Sequence, residues 1–319
     1  MRAIIQPGYG PPDILRLRDD VDKPAMADDA VLVRVRAASV NAGDWRGVRA
    51  KPFFIRLMNG LRRPKTPLLG SDVAGQVEAV GKHVTDLHPG DEVFGMRNGA
   101  FAEYVSGKTF VPKPARLSFE QAATVPVAGL TALQALRDHG GLQPGQRVLV
   151  NGAGGGVGTF VVQIAKALGA EVTTVSRTAN LELARSLGAD HFIDYTREDF
   201  TKGDTRYDLI IDVGGSARFS ACRRVLTPGG AIILVGASHG TGGLLAHLAS
   251  AFVRSRLLRQ RVIFFIAKAS KEDLLTLKEL IESGKVTPVI DRAYPLSEIA
   301  AALRYLEEGR ARGKVVITI

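Results

Sequence analysis

A chain of 319 residues is long enough for two packed domains, and 45% hydrophobic with 23% charged residues is an ordinary globular balance. Its one cysteine, Cys222, excludes an internal disulfide and a multi-cysteine metal site. No apolar run is longer than a strand, and the opening MRAIIQPGYGPP has no apolar core, so neither a signal peptide nor a membrane span is expected and the cytoplasm is the default compartment. The net charge of +10 gathers in residues 46–65, which hold seven Lys/Arg and no acid, and in residues 254–261 (RSRLLRQR); with no recognisable nucleic-acid module beside it, this charge reads as solvated surface and not as a nucleic-acid site.

In chain order, the first 115 or so residues read as short β segments cut by Gly, Pro and Asp. Residues 31–36 (VLVRVR) alternate apolar and charged as a half-buried strand does, and strands over 73–80, 92–96 and 101–105 follow, as in a small antiparallel barrel. Ser118 with Gln121 resembles a capping box, and Pro126 then interrupts the helical pattern. From Arg147 strands alternate with helices. Strands are predicted over 147–150, 171–175, 191–194, 209–212, 231–235 and 262–266. The first helix carries Val157, Val161, Ile164 and Leu168 on one face and ends at Gly169, and a second, over 181–187, ends at Gly188. Six such strands match a doubly wound parallel sheet. A helix capped by Ser297 (299–308) and a strand over 314–319 close the chain and are expected to fold back onto the first domain.

The strongest local signal is RVLVNGAGGGVG, residues 147–158. A buried strand runs into a glycine-rich turn and then a helix, so backbone N–H groups and the positive helix end can face a phosphate with no Cβ in the way. Ala153, Gly155 and Gly158 take the three places of the G-x-G-x-x-G spacing, with Gly154, Gly156 and Val157 completing the turn. Such a turn also cradles S-adenosylmethionine in Rossmann methyltransferases. At the end of the second strand an NAD enzyme places an acid, whereas this chain has Ser176 and Arg177 and no acid until Glu182. A hydroxyl and a guanidinium suit a 2′-phosphate, and NADPH is the expected cofactor.

Taken in order, Asn41-Ala-Gly-Asp44, Gly70-Ser-Asp-Val-Ala-Gly75, Gly90-Asp-Glu-Val-Phe-Gly95 and the turn from Asn151 to Gly158 resemble the medium-chain dehydrogenase/reductases, in their zinc-independent quinone oxidoreductase (zeta-crystallin-like) branch. The resemblance covers essentially the whole chain. It implies an α/β protein with a GroES-like β-barrel catalytic domain (residues 1–121 and 269–319), a Rossmann NADPH-binding domain with a doubly wound parallel sheet (122–268), and a cleft between them. It further implies Asn41, Asp44 and Trp45 beside the nicotinamide, Thr131 on the nicotinamide side, Tyr195 near the adenosine phosphate, and Gly236 past the fifth strand. Asn41 also reads as a turn residue after its strand, Tyr195 as a loop tyrosine, and Thr131 as a helix-packing residue. The segment from Val262 to Ile266 matches the family's edge strand, which implies a homodimer.

The departures from the zinc alcohol dehydrogenases constrain the chemistry. Their first zinc cysteine falls on Asn41 and their histidine on Ser71, and the six histidines show no metal-binding spacing, so no metal is expected. Without a Lewis acid to stabilise an alkoxide, an acceptor that is already electrophilic is favoured: a quinone or an α,β-unsaturated carbonyl (enone), reduced by NADPH. Trp45, Phe53, Phe54, Leu57 and Met58 read either as an apolar slot for a flat ring, with Phe252 or Phe264 closing it, or as core. Reduction of enoyl thioesters or aldehydes on the same scaffold, and a non-catalytic NADPH-binding or RNA-binding role, are the alternatives.

Overall fold

The computed structural model describes residues 1–51, 53–215, 219–235 and 260–319. Contacts divide the chain into two compact units: Met1–Ala128 with Ala269–Glu282 and Pro288–Ile319, and Gly129–Lys268 with Ser283–Thr287. The first division falls later than the 121/122 border read from sequence, inside the helix that Pro126 opens.

In the first unit β1 (Ala3–Ile5) and β2 (Arg16–Arg18) pair antiparallel. A seven-stranded sheet is built from β3 (Val31–Val40), β4 (Asp72–Val80), β5 (Glu92–Met96), β6 (Tyr104–Gly107), β7 (Phe110–Pro112), β14 (Ile290–Pro295) and β15 (Lys314–Thr318). Its order is β14-β15-β3-β4-β5-β7, with β6 on β3. Neighbours run antiparallel except β14 and β15. Alternation fixes which side chains of β3 enter the core: Val31, Val33 and Val35 are buried while Arg34 and Arg36 are exposed. Past Ala37 the strand is buried on both faces, which is why it runs four residues beyond the alternating stretch. Phe101 and Phe110 are fully buried in the core of this unit. Phe101 does not open a strand as expected: its ring packs under Gly70, where φ is +87° and a Cβ would sit 2.8 Å from the ring.

The helices of this unit are α1 (Ala42–Arg49), α2 (Phe54–Asn59), α3 (Phe119–Ala123), α8 (Lys271–Glu282) and α9 (Ile299–Glu307). Ser118 and Gln121 form the expected capping box on α3. Pro126 is the first residue of the next helix, α4 (Pro126–Gln134), where its missing N–H costs nothing. Helix α9 departs from expectation, since Pro295 leads into a single 3-10 turn (Leu296–Glu298) that displaces Ser297 from the cap, and Glu298 takes that place.

In the second unit β8 (Arg147–Asn151), β9 (Glu171–Ser176), β10 (His191–Asp194), β11 (Tyr207–Asp212), β12 (Leu226–Leu234) and β13 (Arg261–Phe264) form an all-parallel sheet in the order β10-β9-β8-β11-β12-β13. This is the doubly wound order, with its switch at β8 and β11. Its helices include α5 (Gly156–Ala167), α6 (Leu181–Ser186) and α7 (Phe219–Cys222). The amphipathic pattern read for α5 understates its burial, because residues 158 to 165 are all buried.

Phe101→Ala is expected to lower unfolding free energy by about 3–5 kcal/mol, as emptying a packed aromatic site does. Urea titration followed by far-UV dichroism measures it.

Candidate active site

The turn between β8 and α5 is shaped by what its neighbours leave no room for. Gly152 stands at φ +88°, and a Cβ there would meet the Gly214 amide nitrogen at 2.8 Å. A Cβ on Gly158 would lie 2.2 Å from the Gly152 carbonyl oxygen, and one on Gly154 would lie 2.3 Å from Asn180 Nδ2. The left-handed residue is therefore Gly152, one before the buried Ala153 to which the spacing assigned the first place. Gly155 caps α5, and the first-turn N–H groups of Gly156, Val157 and Gly158 have by position no acceptor inside the helix. The turn is clamped from β11: Asn151 Nδ2 and the Gly215 N–H both donate to Asp212 Oδ1, each at 2.8 Å. Burial pushes the Asp212 carboxyl up.

At the ends of the two adjoining strands, Ser176 lies opposite Asp194, and the Tyr195 N–H donates to the Ser176 carbonyl at 3.2 Å. This register brings together three residues named from sequence. Arg177 Nε donates to the Tyr195 hydroxyl, both side chains being exposed, and the buried Ser176 Oγ has no hydrogen-bond partner. An orphaned buried hydroxyl beside an exposed guanidinium is suited to an anion. Thr131 lies half-buried on α4, and Gly236 lies outside the described residues, as does Phe252.

In the first unit a second cluster forms where β15, β3 and β4 meet. Val315 pairs with Val40 and Ser39 with Asp72, so Lys314 stands beside Asn41 and Asp72. The Lys314 ammonium donates to Asn41 Oδ1 at 2.6 Å, to Asp72 Oδ2 at 3.0 Å and to the Val40 carbonyl at 3.3 Å. Asp72 Oδ2 also accepts from Ser39 Oγ at 2.5 Å and Asn41 Nδ2 at 2.8 Å, while its Oδ1 accepts from the Val127 N–H at 2.7 Å. The Lys314 and Asp72 side chains are 3% and 0% exposed, so the pair is shielded from water.

Asn41 is the residue before α1, and the Asp44 carboxylate accepts from its N–H at 2.7 Å. Asp44 is buried, and desolvation, with the Asp72 charge adding to it, pushes its carboxyl up to about 7 against the pull of the Asn41 N–H and of Lys314. Trp45 is buried in the core of this unit. Phe53 and Leu57 are instead 66% and 65% exposed and so are not core residues; the side chains of Phe54 and Met58 are not among those described. Sequence reasoning missed Gly152, Asn180, Asp72 and Lys314. The available signal for the last was an isolated charge heading the apolar run KVVIT.

Residues 27–115 match the family model described as "Alcohol dehydrogenase GroES-like domain", and residues 187–317 the one described as "Zinc-binding dehydrogenase". The chain is 36% identical to a 2-methylene-furan-3-one reductase of Solanum lycopersicum, over 99% of this chain and 79% of that protein. It is 32% identical to the chloroplastic quinone-oxidoreductase QR1 of Triphysaria versicolor, over 99% and 98%. The chain belongs to the medium-chain dehydrogenase/reductases, in their quinone oxidoreductase branch. Among solved structures, the quinone oxidoreductase of Coxiella burnetii superposes with a TM-score of 0.86 at 33% identity, covering 100% of this chain and 99% of that one.

This medium-chain dehydrogenase/reductase takes a nicotinamide cofactor, and its second unit fits one: backbone leaves no room for a Cβ at Gly152 and Gly158, and the first-turn N–H groups of α5 have no acceptor inside the helix. Zinc, named in one family description, does not fit the residues here. The Asp72 carboxylate is already held by an ammonium, and no three His, Cys, Asp or Glu converge among the described residues. Among the described residues no helix is long and apolar enough to cross a membrane.

Two measurements probe these clusters. Gly158→Ala is expected to weaken dinucleotide binding by about tenfold or more, roughly 1.4 kcal/mol, in a fluorescence titration. For Asp44 the folded-state value lies above the ordinary 3.8, so its stabilising protonated form is complete below pH 4 and is lost as pH rises through about 7. Asp44→Asn is therefore expected to gain stability relative to wild type between pH 5 and pH 8, by up to about 4 kcal/mol; melting curves at several pH values read the difference.

Proposed function

We propose that the protein is an NADPH-dependent, zinc-free reductase of quinones and α,β-unsaturated carbonyls. The observation that carries this reading is the state of Asn41. Its Oδ1 accepts from Lys314 and one Nδ2–H donates to Asp72, which leaves the other Nδ2–H to offer. A donor suits a carbonyl oxygen that gains negative charge, and an electrophilic acceptor needs little more. The relatives named as a furanone reductase and a quinone oxidoreductase support the same acceptor classes. A further relative is named a trans-enoyl reductase, which keeps enoyl thioesters as the second acceptor class to test.

When bound, the reduced nicotinamide supplies a hydride. With an enone, the hydride adds to the β-carbon and the electron pair moves through the conjugated system to the carbonyl oxygen; a proton from water then completes the saturated ketone. With a quinone the same gain of hydride and proton gives the hydroquinone. Asn41 donates to the oxygen that takes up the charge. Asp44 and Trp45 hold Asn41 in place, the first by capping α1 and the second by anchoring it in the core.

The preference for NADPH is assigned to Ser176, Arg177 and Tyr195. The Ser176 hydroxyl lacks a partner, and the Arg177 guanidinium and Tyr195 hydroxyl already lean on each other, ready to receive a 2′-phosphate. Ala153, Gly154, Gly155, Gly156, Val157 and Gly158 are assigned to the diphosphate, and Thr131 to the nicotinamide side. A homodimer through β13 belongs to the same reading: the strand ends the sheet, Phe264 is 44% exposed, and Ile266 just beyond it is 72% exposed. So does a cytoplasmic location.

NADPH oxidation with a panel of quinones, enones, aldehydes and enoyl thioesters tests the function, with turnover of the first two classes expected. Activity confined to aldehydes would overturn it. Arg177→Asp is expected to weaken NADPH by about tenfold or more while changing NADH little, because a carboxylate repels the 2′-phosphate; equal loss of both would remove Arg177 from phosphate recognition.

A further inference from the structure

Lys314 is a full charge at the start of a strand whose other core positions are aliphatic, and burying such a charge is costly unless it is fully bonded. It is fully bonded: its three donors meet three acceptors, the carboxylate of Asp72, the carbonyl of Val40 and the amide oxygen of Asn41. The third contact does more than satisfy the lysine. An ammonium has no acceptor and a carboxylate has no donor, so between them they fix which end of the Asn41 amide faces which way. The oxygen must face Lys314 and the nitrogen must face Asp72. A cation on the amide oxygen also draws electron density from the nitrogen, which makes the remaining N–H a stronger donor.

We propose that Lys314 is a positioning residue for the reduction, a buried cation that orients and polarises the Asn41 carboxamide so that its N–H meets the acceptor's carbonyl oxygen. The inference rests on the reading above that Asn41 is the donor to that oxygen. The positive charge acts two hydrogen bonds away from the reacting oxygen, relayed by the amide between them. Ser39 and the Val127 N–H share the remaining load on Asp72, so the carboxylate balances the lysine without drawing the amide away.

The test is a double-mutant cycle with the acceptor turned over fastest in the panel above. Lys314→Met alone leaves Asp72 as an unpaired buried charge and is liable to unfold. The charge-neutral pair Lys314→Met/Asp72→Asn is therefore made as well, in the wild-type and Asn41→Ala backgrounds. With Asn41 present, the neutral pair is expected to lower kcat about tenfold or more, with KM changed less than about threefold. In the Asn41→Ala background the same pair is expected to cost less than about threefold further, because its effect passes through an amide that is no longer there. NADPH affinity, read by fluorescence, is expected to be unchanged throughout. Equal losses in both backgrounds, or no loss in either, would overturn the role of Lys314. If Asn41→Ala itself leaves kcat unchanged, the assignment of Asn41 as donor fails, and the two failures are thereby told apart.

Discussion

A buried ammonium must find three acceptors or not be buried at all, and this requirement organises the first unit. Lys314 meets it only because β15 lies against β3 with Val315 opposite Val40, and β3 against β4 with Ser39 opposite Asp72. A slip of one residue in either pairing would turn Lys314 or Asp72 to the other face of the sheet and leave a charge stranded. The aliphatic core around Val33, Val73 and Val315 tolerates substitution of one apolar shape for another, but the charge cluster does not. It thus specifies the register that the hydrophobic pattern alone would define less sharply.

The two units handle charge by opposite means. Among the described residues, the second presents no buried cation at its turn. It offers backbone N–H groups, a helix end and glycines that leave the backbone bare, and the neighbouring Asp212 carboxylate is occupied by Asn151 and Gly215. The cluster of the first unit keeps one ion pair inside, Lys314 with Asp72, and holds the neutral amide of Asn41 against it. Under the proposed function, an acceptor at Asn41 would meet the consequences of a cation without meeting the cation, which suits an apolar ring better than a naked ammonium would.

What the sequence made legible follows from distance along the chain. The strand, glycine turn and helix of residues 147–169 are consecutive, so their pattern could be read directly, and so could the pairing of Ser176 and Arg177 with the end of the second strand. The residue that turns left-handed is marked by its being a glycine, Gly152 at φ +88°, but the spacing template puts its first place one residue later, on Ala153. Asn41 was picked out because it stands where a metal ligand stands in relatives. Its partners were invisible, because Asp72 and Lys314 reach it across 31 and 273 positions through strand pairings that no local pattern encodes. Helical spacing also could not tell core from surface after α1, where Phe53 and Leu57 stand 66% and 65% exposed.

The late arrival of β15 sets an order of events during synthesis. At the ribosome's pace of about 5–20 residues per second, the second unit's strands emerge well before residue 314. Throughout that interval Asp72 and Asn41 wait without their counter-charge, in a sheet that lacks β14 and β15. The nucleotide unit can become native while the catalytic unit is still open. The strands of the second sheet thus all leave the ribosome while the first sheet still lacks its two closing strands.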